Sequence, residues 1–295
     1  MAIVVLESTS HTLSIPSSDL TKKLCWLTIF SCIGVIIRVY TTFTATILPG
    51  IIYPQIIGSF LIGIFYSNKF FESHPNLKFG LSTGLCGSIT TFSSFILETY
   101  LYFQTNIWNG LILIGLVVGL SYGSFKIGQH IGSLDIFQID YNIPSNDVFL
   151  IIITFIVYVL VLLWFIFSLS FQSLSTLIGP FGTFLRFYLS NFNGQYQDFP
   201  IGTFAANIVG TILICIFYII QFEISSSATC LFFQACIIGF CGCLSTISTF
   251  IVEIHTLPRQ KAYQYCLISI ASGVLVALII VGIWQSTTQS RGRCF

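Results

Sequence analysis

Charge is what this sequence has least of. Its 295 residues include only 11 Lys or Arg and 10 Asp or Glu, 7% in all, against about 25% in an ordinary soluble domain. So few charges cannot cover the surface of a water-soluble fold of this size. A soluble enzyme, a nucleic-acid binder and a disordered scaffold are therefore excluded. The net charge of +1 leaves no strong field to gather nucleic acid. Catalytic motifs are missing as well. The four histidines, His11, His74, His130 and His255, lie apart in polar connections, outside the apolar spans. No His, Cys or carboxylate group has metal-ligand spacing. No G-x-S-x-G, H-E-x-x-H or phosphate-binding loop occurs, so no enzymatic activity is expected. What the chain has instead is 55% hydrophobic residues and a mean hydropathy of +0.92. That composition describes an integral membrane protein. Most of the ten cysteines, among them Cys32, Cys86, Cys215 and Cys241, sit inside apolar runs. They read as small hydrophobes.

A membrane-crossing helix needs about 20 apolar residues. Runs of that kind occur at roughly 24–44, 51–68, 79–102, 107–128, 148–169, 173–190, 200–221, 229–254 and 263–285. The expectation is nine crossings. Residues 1–23 read as a flexible tail without a signal-peptide pattern. Residues 24–130 form a first four-helix unit. Residues 131–172 hold a linker and a connecting helix. Residues 173–286 form a second unit, and 287–295 a C-terminal tail. With the N-terminus cytoplasmic, Lys22, Lys23, Lys69, Lys78, Lys126, Arg259 and Lys261 face inside, and only Arg291 and Arg293 face outside. This excess predicts an N-inside, C-outside chain, in a multi-pass plasma-membrane protein.

The two units echo each other. G-V-I-I-R (Gly34 to Arg38) returns as G-T-F-L-R (Gly182 to Arg186). P-Q-I-I-G-S-F-L-I-G-I-F from Pro54 returns as A-N-I-V-G-T-I-L-I-C-I-F from Ala206. G-L-C-G-S-I-T-T-F-S-S-F-I-L-E (Gly84 to Glu98) returns as G-F-C-G-C-L-S-T-I-S-T-F-I-V-E (Gly239 to Glu253). The offsets are 148, 152 and 155 residues. Four crossings return the chain to its starting side, and a fifth then inverts the second repeat. The repeats are expected to lie antiparallel about an axis in the membrane plane. The fifth run has no Gly and is dominated by Ile, Val, Leu and Phe, which suits a lipid-facing connector.

Within each repeat the third helix carries a Gly- and hydroxyl-rich run, Gly84 to Thr91 and Gly239 to Thr246. Such a run either breaks the helix inside protein or forms a packing seam of small residues. Two breaks meeting at a twofold axis would gather carbonyl oxygens suited to a hard monovalent cation. Phe92 and Phe95 follow at i and i+3. Aromatic edges are electropositive and can face a small anion, although packing alone also accounts for phenylalanines. Thr203, Asn207 and Thr211 form a polar stripe on an apolar helix, with Ile51, Gln55 and Ser59 at the matching positions. The Asn amide can donate to an anion, or make an interhelical hydrogen bond of about 0.6 kcal/mol. Arg38 and Arg186 sit late in the first helices, as structural cations or as charges at a pore mouth. Glu98 and Glu253 are candidate partners for them.

In this order, and occurring twice, these motifs closely resemble the Fluc, or CrcB-type, fluoride channels in the two-domain form of eukaryotic fluoride exporters. The resemblance covers nearly everything from 24 to 285. It implies an all-helical membrane protein made of two inverted four-helix repeats, acting as one fused pseudo-dimer. It implies passive fluoride export through pores between the repeats. It also implies a structural sodium ion on the carbonyls of Gly87, Thr90, Gly242 and Ser245. One fluoride path would use Phe92, Phe250, Asn207, Thr203, Thr91 and Ser269. The other would hold Phe95, Ile247, Gln55 and Ile51, and is expected to be vestigial. It has Ile where the first path has Phe and Thr, and an amide displaced by one methylene. Partners are the fluoride ion and the lipid bilayer. A proton-coupled small multidrug transporter is the alternative, but it needs a carboxylate deep in a first helix. Neither first helix has one.

Overall fold

The computed structural model describes residues 17–134, 147–196, 198–223 and 226–287. Among these there is no strand. The long helices are α1 (Ser17–Phe43), α2 (Ile52–Ser67), α3 (Pro75–Thr105), α4 (Ile107–Gly132), α5 (Asp147–Ser168), α6 (Phe171–Ser190), α7 (Ile201–Glu223), α8 (Ser227–Thr256) and α9 (Arg259–Thr287). Of these, α1, α3, α4, α5, α7, α8 and α9 are long and apolar enough to cross a bilayer. The other two fall short for different reasons. α2 has only 16 residues. α6 has 20 but carries Ser173, Ser175, Thr176 and Thr183 on its buried face.

Helix starts fall earlier than hydropathy predicts. α1 takes in Ser17 to Lys23, which the sequence assigned to the tail. Polar residues extend the helix because they pair there: Lys23 with Asp19 at 2.7 Å, and Lys22 with Asp147 of α5 at 2.8 Å. α8 likewise runs on to Thr256, so His255 lies in a helix and not in a connection. Residues 1–16, most of the linker (135–146) and 288–295 lie outside the described residues.

The first helices of the two repeats form the centre. α1 packs along α6, and each also packs on its own repeat's third helix. Close approach requires glycine: a Cβ on Gly34 would fall 2.8 Å from the Leu85 carbonyl, and one on Gly179 2.7 Å from Val35. α5 lies outside this pair, against α1 and α6. Its only buried residues are Leu150 and Val161, and more than half of the helix is exposed. The Tyr158 hydroxyl fastens it to α6 by donating to the Leu177 carbonyl at 3.0 Å.

Candidate functional site

The Gly- and hydroxyl-rich runs are helix breaks, not continuous packing seams. In α3 a π-helical turn, Gly80–Cys86, leads into Gly87–Ile89. Thr90 (φ −89°, ψ 150°) and Thr91 (φ −146°, ψ 124°) are then extended, and the helix restarts at Phe92. α8 repeats this: Cys236–Cys241 is π-helical, Gly242–Leu244 follows, Ser245 is extended (φ −96°, ψ 157°), and the helix restarts at Ser248. Residues 87–92 and 241–248, which hold the breaks, are all buried, so their freed backbone groups need partners. The second helices supply them. Gln55 donates from Nε2 to the Thr91 carbonyl at 2.9 Å and accepts from the Thr91 N–H at 3.2 Å. Asn207 makes the same pair with Thr246, at 3.2 and 2.8 Å. The longer Gln55 side chain therefore reaches the same station, and the amide displacement expected from its extra methylene is absent.

The two breaks touch, and their contacts repeat under exchange of the halves. The Thr90 hydroxyl shares a hydrogen bond with the Thr246 hydroxyl at 3.1 Å and accepts from the Ser248 N–H at 3.0 Å. The Ser245 hydroxyl does the same with Thr91 at 3.2 Å and the Ser93 N–H at 3.0 Å. Since Ser245 stands where Thr90 stands in the other repeat, this is twofold exchange at the level of single atoms.

Arg38 and Arg186 are each only 4% exposed, so neither snorkels to an interface. Each crosses to the opposite repeat. Arg38 Nη2 donates to the Ile238 carbonyl in the π turn of α8 and lies 3.6 Å from the Cys243 sulfur. Arg186 Nη2 donates to the Thr83 carbonyl in the π turn of α3 at 2.8 Å. A π turn opens the ladder and frees carbonyls, which is why these arginines find acceptors there. The Arg38 and Arg186 guanidinium groups occupy the space beside Gly242 and Gly87, where any Cβ would collide with them. The expected pairing with Glu98 and Glu253 does not occur. Glu253 instead accepts from the Thr203 hydroxyl at 2.5 Å, Tyr265 at 2.7 Å and Asn193 at 3.3 Å. The position matching Thr203 holds Ile51, which has no hydroxyl to offer Glu98.

Beyond the breaks, the restarted halves of α3 and α8 pack across onto the other repeat. The second half of α3 lies against α7 and α9, and that of α8 against α2 and α4. In the first seam, α9 presents a buried stripe of Ala262, Tyr265, Ser269, Gly273 and Ala277. Tyr265 meets Phe250 with ring centroids 5.1 Å apart, and Phe250 meets the edge of Phe92 at 5.7 Å. A Cβ on Gly273 would sit 3.2 Å from Phe92. The Ser269 hydroxyl between them has no partner among the described residues. Thus Phe92, Phe250 and Ser269 share one seam, and Thr203 stands at its end through Glu253 and Tyr265. Asn207 and Thr91 lie deeper, tied to the breaks. Phe95 meets Phe92 at 5.9 Å, and Ile247 is fully buried beside the α8 break. Sequence reasoning missed Tyr265 and Asn193. The Tyr265–Ser269–Gly273 spacing of four was a legible signal, but Asn193 comes from a loop and had none.

A family profile described as CrcB-like protein, Camphor Resistance (CrcB), matches residues 25–129 and again 173–283. Fluoride export protein 1 of Candida albicans is 27% identical over 286 residues, covering 82% of this chain and 73% of its own. Fluoride export protein 1 of Saccharomyces cerevisiae is 27% identical over 349 residues, covering 89% and 93%. The Fluoride-specific ion channel FluC of Thermococcus kodakarensis is 32% identical over 106 residues, covering 35% of this chain but 83% of its own. No solved structure matches significantly. A relative the size of one repeat and relatives the size of both fit the doubled profile match and the exchanged contacts at the breaks: the chain belongs to the CrcB-like family, with two family units in one polypeptide.

Proposed function

We propose that this protein exports fluoride passively through a path along the α3–α9 seam. The observation that carries the reading is the buried column Tyr265, Phe250, Ser269 and Phe92, set between two repeats of a family whose relatives are named for fluoride. Fluoride is small and strongly hydrated, so a dry path must offer several donors and positive ring edges together. The edge-on phenylalanines and the unpartnered Ser269 hydroxyl are such groups. No full positive charge lines the column to trap the ion. The multidrug alternative has no support here: α6 lacks Asp and Glu, and Asp19 of α1 is paired with Lys23 in the first turn. In this reading all nine helices cross the plasma membrane. α2 and α6 cross within the protein, where polar faces are satisfied by neighbours. The N-terminus is cytoplasmic, as the loop charges favour.

A structural sodium ion belongs to the same proposal. The carbonyls of Gly87, Thr90, Gly242 and Ser245 come from two breaks that contact each other, and neutral hard oxygens suit a monovalent cation. Bound there, the ion would brace the two breaks against one another. The guanidinium groups of Arg186 and Arg38 flank Gly87 and Gly242, and their charges would weaken that binding.

The test is fluoride release from liposomes containing the purified protein, driven by membrane potential alone, with chloride as control. Fluoride release without chloride release is the expected result. Release that required a proton or sodium gradient would end the channel reading.

A further inference from the structure

One stretch of the same seam lies beyond every residue singled out in the sequence. Phe92, Ile96 and Tyr100 follow each other at four-residue steps on α3, all buried. At Tyr100 the seam ends in a closed ring of three neutral side chains from both repeats. The Tyr100 hydroxyl donates to Gln285 Oε1 at 3.2 Å. Gln104 Nε2 donates to the Tyr100 oxygen at 2.8 Å and also to Gln285 Oε1. Gln285 Nε2 returns a hydrogen bond to Gln104 Oε1 at 3.4 Å. No side chain separates the tyrosine from α9, because Gly282 lies beside it: a Cβ there would be 3.0 Å from the hydroxyl. No carboxylate takes part in these bonds; Glu223 accepts instead from Trp284, the residue before Gln285, at 3.1 Å.

We infer that Tyr100, Gln104 and Gln285 form the terminal anion station of the fluoride path, at the end opposite Glu253. The inference rests on the fluoride reading above. Three facts favour it over a simple brace. First, the ring stands in line with Phe92 at the point where the seam meets the surface; Gln104 is exposed. Second, its polar hydrogens are one phenol and two carboxamides, with no charge. Opened, all three donors can turn to an anion in place of the Oε1 acceptors they now hold. Third, the other repeat carries a different group at the counterpart position. His255 occupies the Tyr100 position 155 residues on. It packs against the rings of Tyr66, Tyr122 and Phe125, with centroids 6.2, 6.3 and 5.2 Å away, and both its ring nitrogens are engaged, one with the Tyr122 hydroxyl at 3.5 Å and one with the Gln129 amide at 3.4 Å.

The test uses full-length protein in liposomes, reading fluoride and chloride release together with the melting temperature. Tyr100→Phe, Gln104→Leu and Gln285→Leu each remove donors while keeping volume. Each is expected to slow fluoride release about tenfold without moving the melting temperature, the size of one lost hydrogen bond to an ion. Gln285→Glu is expected to slow it further by repulsion. Gln129→Leu, at the counterpart ring, is expected to release fluoride at the wild-type rate. Wild-type or faster rates in Tyr100→Phe, Gln104→Leu and Gln285→Leu, or slowing only in step with lost folded protein, would overturn the station and leave the fluoride reading intact. An equal loss from Gln129→Leu would also overturn it. Wild-type liposomes that released no fluoride would overturn both.

Discussion

The two repeats share their breaks but not their second seam. In repeat one, α2 and α4 are closed on each other. A Cβ on Gly63 would strike the Phe125 carbonyl, and one on Gly128 would strike that of Phe60. Ser67 donates to the Gln129 carbonyl at 2.8 Å, and Asn68 to that of Gly132 at 3.1 Å. In repeat two, α9 instead turns its small residues outward to the other repeat, with Gly273 against Phe92 and Ile96. Counted along the two matching buried stripes from Gly110 and Ala262, α4 has Leu113, Val117 and Ser121 where α9 has Tyr265, Ser269 and Gly273, all buried. A leucine stands in place of the phenol, a valine in place of the hydroxyl, and a phenylalanine, Phe125, in place of Ala277. The difference suggests how duplication permits loss: the shared breaks hold both halves together, so one seam can fill with apolar bulk without harm to the fold.

The largest effect should come from the shared part. Gly87→Val or Gly242→Val places a side chain where the guanidinium of Arg186 or Arg38 lies. Either should prevent assembly, seen as loss of a monodisperse, thermally cooperative protein in detergent; a stable variant would show that the arginines are free to move. Next comes the comparison between seams. Phe92→Ile should nearly abolish fluoride release, whereas Phe95→Ile should keep most of it. Equal losses would mean that both seams conduct. A third test concerns Gln55→Ala and Asn207→Ala. Each leaves a buried N–H and C=O unpaired and should cost about 2–4 kcal/mol in unfolding free energy, to a similar degree in the two repeats. A cost confined to Asn207 would restore the asymmetry that the geometry removes. The smallest effects sharpen the picture of α4. A Cβ on Gly119 would meet nothing within 4 Å, whereas one on Gly128 would lie 2.1 Å from the Phe60 carbonyl oxygen. Gly119→Ala should be neutral or slightly stabilising, by up to about 1 kcal/mol from helix propensity. Gly128→Ala should lower the melting temperature clearly.

Much of this was legible in residue order. Low charge and long apolar runs announced membrane helices, because hydrocarbon tolerates little else. The doubled G-x-x-x-R and T-T-F-S-type motifs announced two related units, and Gly next to hydroxyl residues marked the breaks. The sequence also assigned crossings to α2 and α6, although one is short and the other polar. The ends of helices were misplaced because ion pairs such as Lys23–Asp19 extend them past the apolar run. The pairing of Arg38 and Arg186 with glutamates was a reasonable guess from charge, yet π turns offered free carbonyls that no sequence pattern displays.

Composition and repetition by themselves determined the class of molecule and its division into two related units, since both follow from local apolar periodicity. They also pointed to Phe92, Phe250 and the second-helix amides. What only the tertiary structure decided is which groups meet. Arginines exchange between repeats, two amides of different length reach equivalent backbone stations, and Glu253 is held by a loop asparagine. Tyr100 closes a ring with glutamines on two helices, one of them in the other repeat. Apart from Tyr100–Gln104, these contacts join residues roughly 35 to 200 positions apart. At such separations a partner is selected by helix crossing and by the need to satisfy each buried polar group, and neither is written in local sequence.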